Sequence, residues 1–246
     1  MTNRLCSICA RKGSKGVINK SLRHFAGKPL IAHVLQIAKQ SKLFDVIAVS
    51  SDCDEVLNVA QKWGADYIVE RPFEMATDFA AKLPSIQHCA REVQRRANIM
   101  FSTFVDLSVT APLMIPSDII GAVSLLENST AENVITGSIA SNSPYFSMVE
   151  KKTDSAYVVV SKVPTSDVVR RQDAPICYNM NGAIYVWKAE TFFEIDKIIT
   201  DKTQLYEMPV ERSIDIDTEF DLMLAKLIFE NQKDEDLLKL KPIEVV

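Results

Sequence analysis

Short apolar runs alternate along most of this chain with segments whose apolar residues recur every three or four positions. Residues 5–10 (Leu-Cys-Ser-Ile-Cys-Ala) and 46–50 (Val-Ile-Ala-Val-Ser) read as buried strands. Between them, residues 28–40 carry Leu30, Ile31, Val34, Leu35 and Ala38 on one stripe, the period of an amphipathic helix. Asp52 with Glu55 offers a capping signal for a helix that turns Val56, Leu57, Ala60 and Trp63 inward and stops at Gly64. The same rhythm predicts strands at 67–69, 103–107 and 134–136 and helices at 82–95 and 117–127. It lapses over residues 138–180, where Pro144, Pro164 and Pro175 interrupt it, and resumes with strands at 183–187 and 213–217 and helices at 189–196 and 219–232.

Such βα alternation predicts an α/β fold of three layers, a mainly parallel sheet covered by helices on both faces, with a Rossmann-like nucleotide-binding half. Ligands of these sheets bind at the carboxyl ends of the strands, which singles out the loops after Ala10, Ser50 and Leu107. The whole chain, 1–246, reads as one domain, with 138–180 an inserted arm and a charged tail after Lys233 that carries Leu237, Leu238 and Leu240.

Composition narrows the picture. The 246 residues are 47% hydrophobic and 24% charged, an ordinary globular balance, and the net charge of −4 argues against nucleic acid or an anionic membrane as partner. No run of about 20 uninterrupted apolar residues offers a membrane span, and the apolar start is cut short by Arg11-Lys12. Five cysteines, odd in number and scattered, predict reduced thiols and a cytoplasmic location.

The charge is unevenly placed. Residues 1–44 hold nine of the 28 basic residues and none of the 32 acidic ones. The core of the run, Arg11-Lys12-Gly13-Ser14-Lys15-Gly16, follows the first strand directly, so that glycine backbone and cationic side chains could cradle a polyphosphate. A solvated basic turn would look the same, and the spacing matches neither a P-loop nor a dinucleotide-binding Gly-x-Gly-x-x-Gly.

Near the other end, Ser213-Ile214-Asp215-Ile216-Asp217 alternates like a strand and turns both aspartates to one face. Two carboxylates so placed repel unless water or a cation intervenes, and Mg²⁺ takes one or two carboxylates together with substrate phosphates. The plainer reading makes Asp217 and Thr218 a helix cap with Asp221 as capping-box partner; Asp215 is not needed for that. Cys6 and Cys9 would face opposite sides of a strand and bind no metal together. His24, His33 and His88 lack metal spacing, and His33 reads as a helix-surface or packing residue.

Taken in order, these blocks resemble the CMP-sialic acid synthetases (acylneuraminate cytidylyltransferases), within the sugar nucleotidyltransferases. The resemblance runs from Ala10–Gly16 with Lys20, through Gly27-Lys28-Pro29-Leu30-Ile31, Val49-Ser50-Ser51-Asp52, Glu70-Arg71-Pro72 and Ala76-Thr77-Asp78, to Asn181-Gly182-Ala183-Ile184-Tyr185 and Ser213–Thr218. It implies transfer of a cytidylyl group from CTP to a nonulosonic acid, a nine-carbon 2-keto sugar acid, with Mg²⁺ as cofactor. Arg11, Lys20, Asp215 and Asp217 would form the catalytic set. Arg11, Ser14, Lys20 and Arg71 would bind the nucleotide, and Asp215 and Asp217 the metal. Ser108, Arg171 and Asn181 would lie near the acidic sugar, and 138–180 would be the arm of a homodimer. Ser108 and Met114 stand where the family has Gln and Arg, Ser21 where it has Asn, and Phe79-Ala80-Ala81-Lys82 where it has Thr-Ala-Ser-Ser. A cytidylyltransferase for another sugar acid such as Kdo, or a non-catalytic CTP-binding homologue, shares most of the pattern.

Overall fold

A computed structural model describes residues 3–13, 16–77, 81–153, 156–163 and 170–231, without the side chain of Arg171. The first strand, β1 (Arg4–Cys9), is followed by a short hairpin of β2 (His24–Phe25) and β3 (Lys28–Pro29). Next come α1 (Leu30–Ser41), β4 (Val46–Ser51), α2 (Asp54–Lys62), β5 (Tyr67–Glu70), α3 (Lys82–Ala97), β6 (Thr103–Leu107), α4 (Pro116–Glu127) and β7 (Asn133–Ile139). The arm contributes β8 (Val149–Lys151) and β9 (Val158–Val160); the chain returns through β10 (Tyr178–Lys188), α5 (Ala189–Phe192), β11 (Thr203–Glu207) and α6 (Glu219–Asn231).

Seven strands form one sheet in the order β11-β7-β10-β6-β1-β4-β5. Six run in one direction, and β10 alone runs antiparallel to its neighbours β6 and β7. The expected three-layer α/β fold with a mainly parallel sheet is therefore present. Alternate residues of each strand feed two cores. Cys6, Ile8, Ile47 and Val49 pack with α1, α2, α4 and α6 on one face; Leu5, Ala48, Phe104 and Trp187 pack with α3 and α5 on the other. Cys6 and Cys9 do diverge to opposite faces.

Several local expectations need correction. Residues 213–217 keep their alternation, with Ile216 fully buried and Asp215 and Asp217 exposed, but pair with no strand among the described residues. Their one backbone tie to the sheet end is the Ile216 amide, which donates to the Thr110 carbonyl at 2.8 Å. The sheet gains β11 instead, from Thr203–Glu207, a segment whose Thr-Gln-Leu-Tyr-Glu pattern is too polar to stand out. Asp52 caps no helix: its Oδ1 accepts the Lys12 amide at 2.9 Å, and α2 starts two residues later without a side-chain cap. The helix expected at 189–196 is the single turn α5.

The arm leaves the sheet after β7. Pairing of β7 with β10 continues outward to Ile139 and Tyr178, and the Ala140 amide donates to the Cys177 carbonyl at 2.9 Å. Beyond lies the β8–β9 hairpin, whose six residues are all exposed, including Val149, Val158, Val159 and Val160. Inward, the register slips between Met180 and Tyr185, and Gly182 takes a left-handed conformation (φ 63°) that makes the bulge easy for glycine. The tail beyond residue 231 lies outside the described residues.

Candidate functional site

Strand order locates the site. β1 pairs with β4 on one side and β6 on the other, so the chain winds away in both directions from the β1–β6 boundary. Ligands of open parallel sheets occupy the crevice outside the strand ends at such a switch point. Here that crevice is a cleft of about 400 Å³ lined by Cys9, Ala10 and Arg11 after β1, Ser108, Val109 and Thr110 after β6, and Gly16, Lys20, Ser21 and Asp217. The basic loop and the acidic segment, about 200 residues apart in the chain, thus share one wall.

Two contacts bring them together. The Lys20 ammonium is buried; it donates to the Ile216 carbonyl and pairs with Asp217 Oδ1 at 3.0 Å. Gly16 lies so close to the Asp217 carbonyl that no Cβ fits between them. Close approach is the use the structure makes of Gly16, whereas among the described residues nothing lies within 4 Å of where a Cβ on Gly13 would stand. Two other cations of the N-terminal stretch are engaged elsewhere: Arg4 pairs with Glu127 and Arg23 with Glu219.

The 213–217 segment is clamped along its length. Arg212 makes a two-pronged ion pair with Asp118 at 2.9 and 2.8 Å, tying the preceding turn to α4. Thr218 and Asp221 form the expected capping box of α6. Asn181, expected near the sugar, is buried behind the segment: its Oδ1 accepts from the Thr136 hydroxyl (2.7 Å) and the Ala183 amide (3.1 Å), and its Nδ2 donates to Ser213 Oγ at 2.9 Å. Its polar atoms are thereby committed to the protein, which makes it a strut.

Asp215 and Asp217 share one exposed side of the segment. Desolvation holds the Asp215 carboxyl above the usual carboxylate range; a hydrogen bond from the Thr110 hydroxyl opposes this, the charge of Asp217 reinforces it, and Lys20 and Lys82 pull the other way. Among the described residues no cluster of three or more His, Cys, Asp or Glu side chains could hold a metal. Two mutually repelling carboxylates at a cleft rim fit a hard cation that completes its shell with water and phosphate oxygens. Ser108, another expected sugar-side residue, has its Oγ 2.8 Å from Thr110 Oγ1 and so adjoins Asp215 through one hydroxyl.

A second cavity of about 280 Å³ adjoins the first, with Cys9 and Arg11 lining both; its other walls are Arg71, Met75, Thr77, Ala81, Lys82 and Ser85. Arg71 is buried and donates to the Ser50 carbonyl at 3.2 Å; Arg11 donates to the Thr77 carbonyl at 3.1 Å. Arg11, Lys20, Arg71, Ser108, Asp215 and Asp217 are therefore neighbours. Ser14 lies outside the described residues, and Arg171 sits in a 3-10 turn of the arm. Met114 is buried in the core, lining a separate hollow with His33 and Phe229. No thiol is poised as a nucleophile in the core: burial pushes Cys6 and Cys9 well up, and Cys89 to about 12.

The sequence reading passed over Thr110, Lys82 and Asp106. Asp106 is fully buried in β6, accepts a hydrogen bond from the Ser7 hydroxyl at 2.9 Å and pairs with Lys82 at 2.9 Å. An acidic residue inside the apolar run Thr-Phe-Val-Asp-Leu was the available signal, because an unpaired charge there would be costly.

Residues 5–241 match a family described as cytidylyltransferase. The chain is 37% identical over 228 residues to the CMP-N,N'-diacetyllegionaminic acid synthase of Campylobacter jejuni, covering 93% of this chain and 95% of that one. It is 29% identical over 225 residues to a C. jejuni pseudaminic acid cytidylyltransferase (92% and 95%), and 30% identical over 221 residues to a Streptococcus agalactiae N-acylneuraminate cytidylyltransferase (89% and 51%). A solved CMP:2-keto-3-deoxy-manno-octonic acid synthetase, complexed with CTP, superposes with a TM-score of 0.65 over 94% of this chain and 100% of that one; at 16% identity it shows the shared fold.

Proposed function

The chain belongs to the cytidylyltransferase family, and on that premise we propose that it transfers the cytidylyl group of CTP to a nonulosonic acid, releasing pyrophosphate. The observation that carries this reading is the meeting of Arg11 and Lys20 with Asp215 and Asp217 around one cleft at the sheet's switch point. Relatives named for diacetyllegionaminic, pseudaminic and acylneuraminic acids support the acceptor class.

The acceptor's anomeric hydroxyl oxygen attacks the α-phosphorus; that P–O bond forms as the bond to the bridging oxygen of the departing pyrophosphate breaks, and the hydroxyl proton passes to solvent water. No side-chain nucleophile is needed, so the protein contributes position and charge. Arg11, at the junction of the two cavities, faces the phosphate chain, while Lys20 holds Asp217 in place and adds its own charge beneath the triphosphate. Arg71 lines the smaller cavity and faces the nucleoside. Asp215 and Asp217 would hold Mg²⁺, which would supply neutralisation of charge on the phosphate oxygens. Ser108, linked through Thr110 to Asp215, lies on the acceptor side, with Arg171 of the arm assigned to the acceptor's carboxylate and Asn181 bracing the segment from behind.

A hairpin with exposed valines on both strands is a poor surface to leave in water, and a homodimer would cover it. Among the described residues no helix is long and apolar enough to cross a membrane. Five free thiols suit a cytoplasmic setting. The test is an acceptor panel with CTP and Mg²⁺, read by product mass. A CMP-nonulosonate together with pyrophosphate is expected. Stabilisation by CTP with no product from any acceptor would refute the enzyme.

A further inference from the structure

Residues 212–216 and the stretch that follows β6 are joined at two places. At one, the Ile216 amide donates to the Thr110 carbonyl at 2.8 Å and the Thr110 hydroxyl bonds the Asp215 carboxylate. At the other, Arg212 lays its guanidinium against Asp118, with Nε 2.9 Å from Oδ2 and Nη2 2.8 Å from Oδ1. Arg212 closes the 3-10 turn Val210–Arg212, directly before the acidic segment. Asp118 stands in the first turn of α4, where its Oδ2 also accepts the Ile115 amide at 3.0 Å.

The Asp118 side chain is 1% accessible and that of Arg212 25%. Tyr206 of β11 packs beside them: its ring lies against Gly121, three residues further along α4, and its hydroxyl responds to both charges. Burying such a pair is seldom the most stabilising choice, since apolar residues of similar volume often serve as well or better. What the pair supplies is geometry. An arginine fork against a carboxylate makes two parallel bonds and fixes angle as well as distance, and the Ile115 amide keeps this carboxylate from swinging.

The loop after β6, with Ser108 and Thr110 on the cleft, and the segment with Asp215 and Asp217 are thereby set in one register. Neither Arg212 nor Asp118 is among the described residues that line the two cavities, so the pair acts on the site through the segment it anchors. We propose that Arg212, fixed by Asp118, is a positioning residue for the divalent cation: by holding Asp215 at a set distance from the loop after β6, it raises the affinity of the cleft for Mg²⁺ bound together with CTP. This inference rests on the function proposed above, in which Asp215 and Asp217 hold the metal.

The test is the double variant Arg212→Met with Asp118→Asn, which strands no charge and keeps an oxygen for the Ile115 amide. It is expected to melt near the wild-type temperature. CTP binding is measured by calorimetry in EDTA and in Mg²⁺. Groups behind metal ligands carry about 10- to 100-fold in metal affinity, and Arg212 acts through the backbone, so the low end applies. The Kd for metal-free CTP should keep its wild-type value. The tightening that Mg²⁺ confers should shrink by about tenfold, and the Mg²⁺ concentration for half-maximal turnover should rise as much. An unaltered Mg²⁺ effect in the folded variant, whatever its melting temperature, would overturn the proposal. So would equal weakening of metal-free CTP, which would move the effect to the basic loop. Should the double variant fail to fold, Arg212→Lys, which keeps the charge without the planar fork, carries the same comparison. A wild type inert on every acceptor sinks the proposed function, while the binding comparison still decides the role of Arg212. A wild type whose CTP affinity ignores Mg²⁺ sinks the metal reading and this inference with it.

Discussion

Gly16 and Asp217 touch backbone to backbone, and nothing larger than a hydrogen fits on the Gly16 α-carbon facing that carbonyl. The contact fixes the distance between the basic loop and the acidic segment. Gly16→Ala therefore has to push the two apart. Overpacking of this kind costs about 1–3 kcal/mol, and a displacement of about 1 Å at a reacting centre can cost a hundredfold in rate. Lower thermal stability and a turnover loss of about tenfold or more are expected, read by melting temperature and pyrophosphate release. Wild-type turnover in the alanine variant would show that the contact does not set the site.

Asp215→Asn separates chemistry from stability. Turnover should fall by about a hundredfold or more, as for other losses of focused charge stabilisation. The folded protein holds the Asp215 carboxyl above its ordinary value of 3.8, chiefly by desolvation. Its contribution to stability is then greatest below 3.8 and is lost as pH rises through the raised value. The asparagine variant should consequently match or exceed the wild-type melting temperature at pH 7 in the absence of divalent cations, and lose that advantage in acid. A large drop in stability at pH 7 would contradict the geometry.

Asn181→Ala removes the strut without touching the cleft surface. The Thr136 hydroxyl, the Ala183 amide and Ser213 each lose a partner. Buried polar groups left short of a partner cost about 1–3 kcal/mol each. Urea unfolding should show a lower midpoint at unchanged slope, accompanied by a fall in turnover because 213–217 is no longer braced. A stable variant with low turnover alone would make Asn181 a substrate contact.

His33 offers a pH test away from the site. Its Nε2–H donates to the Pro112 carbonyl at 2.9 Å, and its ring packs edge-on against Phe25 and Phe229. Burial lowers its pKa below the ordinary 6.5, the Pro112 hydrogen bond opposes this and Lys28 adds to it. The folded state keeps the neutral ring, so stability is full above 6.5 and is lost as pH falls from there through the lowered value. His33→Gln, which keeps a donor for Pro112, should flatten melting temperature against pH over that window. Parallel wild-type and variant curves would refute the assignment.

Much of the fold was legible because burial writes itself into period: β1, β4, β6 and α1 fell where apolar spacing put them, and Thr103–Leu107 matched residue for residue. The misses have physical causes. Ser213–Asp217 alternates because one side meets the core, a condition that an unpaired segment lying across the sheet end satisfies as well as a strand does. β11 was hidden because an edge strand with exposed Gln204 and Glu207 shows little contrast. Asp52 carries a cap's residue type, yet its partner is the Lys12 amide, 40 positions away, which local pattern cannot foretell. At the cleft, Arg11, Lys20 and the two aspartates, which the structure brings together, stood out through charge asymmetry and family likeness. The Lys82–Asp106 pair depended on strand register, which no single segment encodes.

The reversal of β10 has an evolutionary consequence. Because it runs against its neighbours, its beginning lies beside the end of β6, with Ile184 opposite Leu107, and the peptide delivered there comes straight from the arm. Insertions or deletions in that excursion arrive at the mouth of the switch-point cleft while leaving the pleated framework untouched. On the proposed function, a length change there would act on subunit assembly and on acceptor choice together.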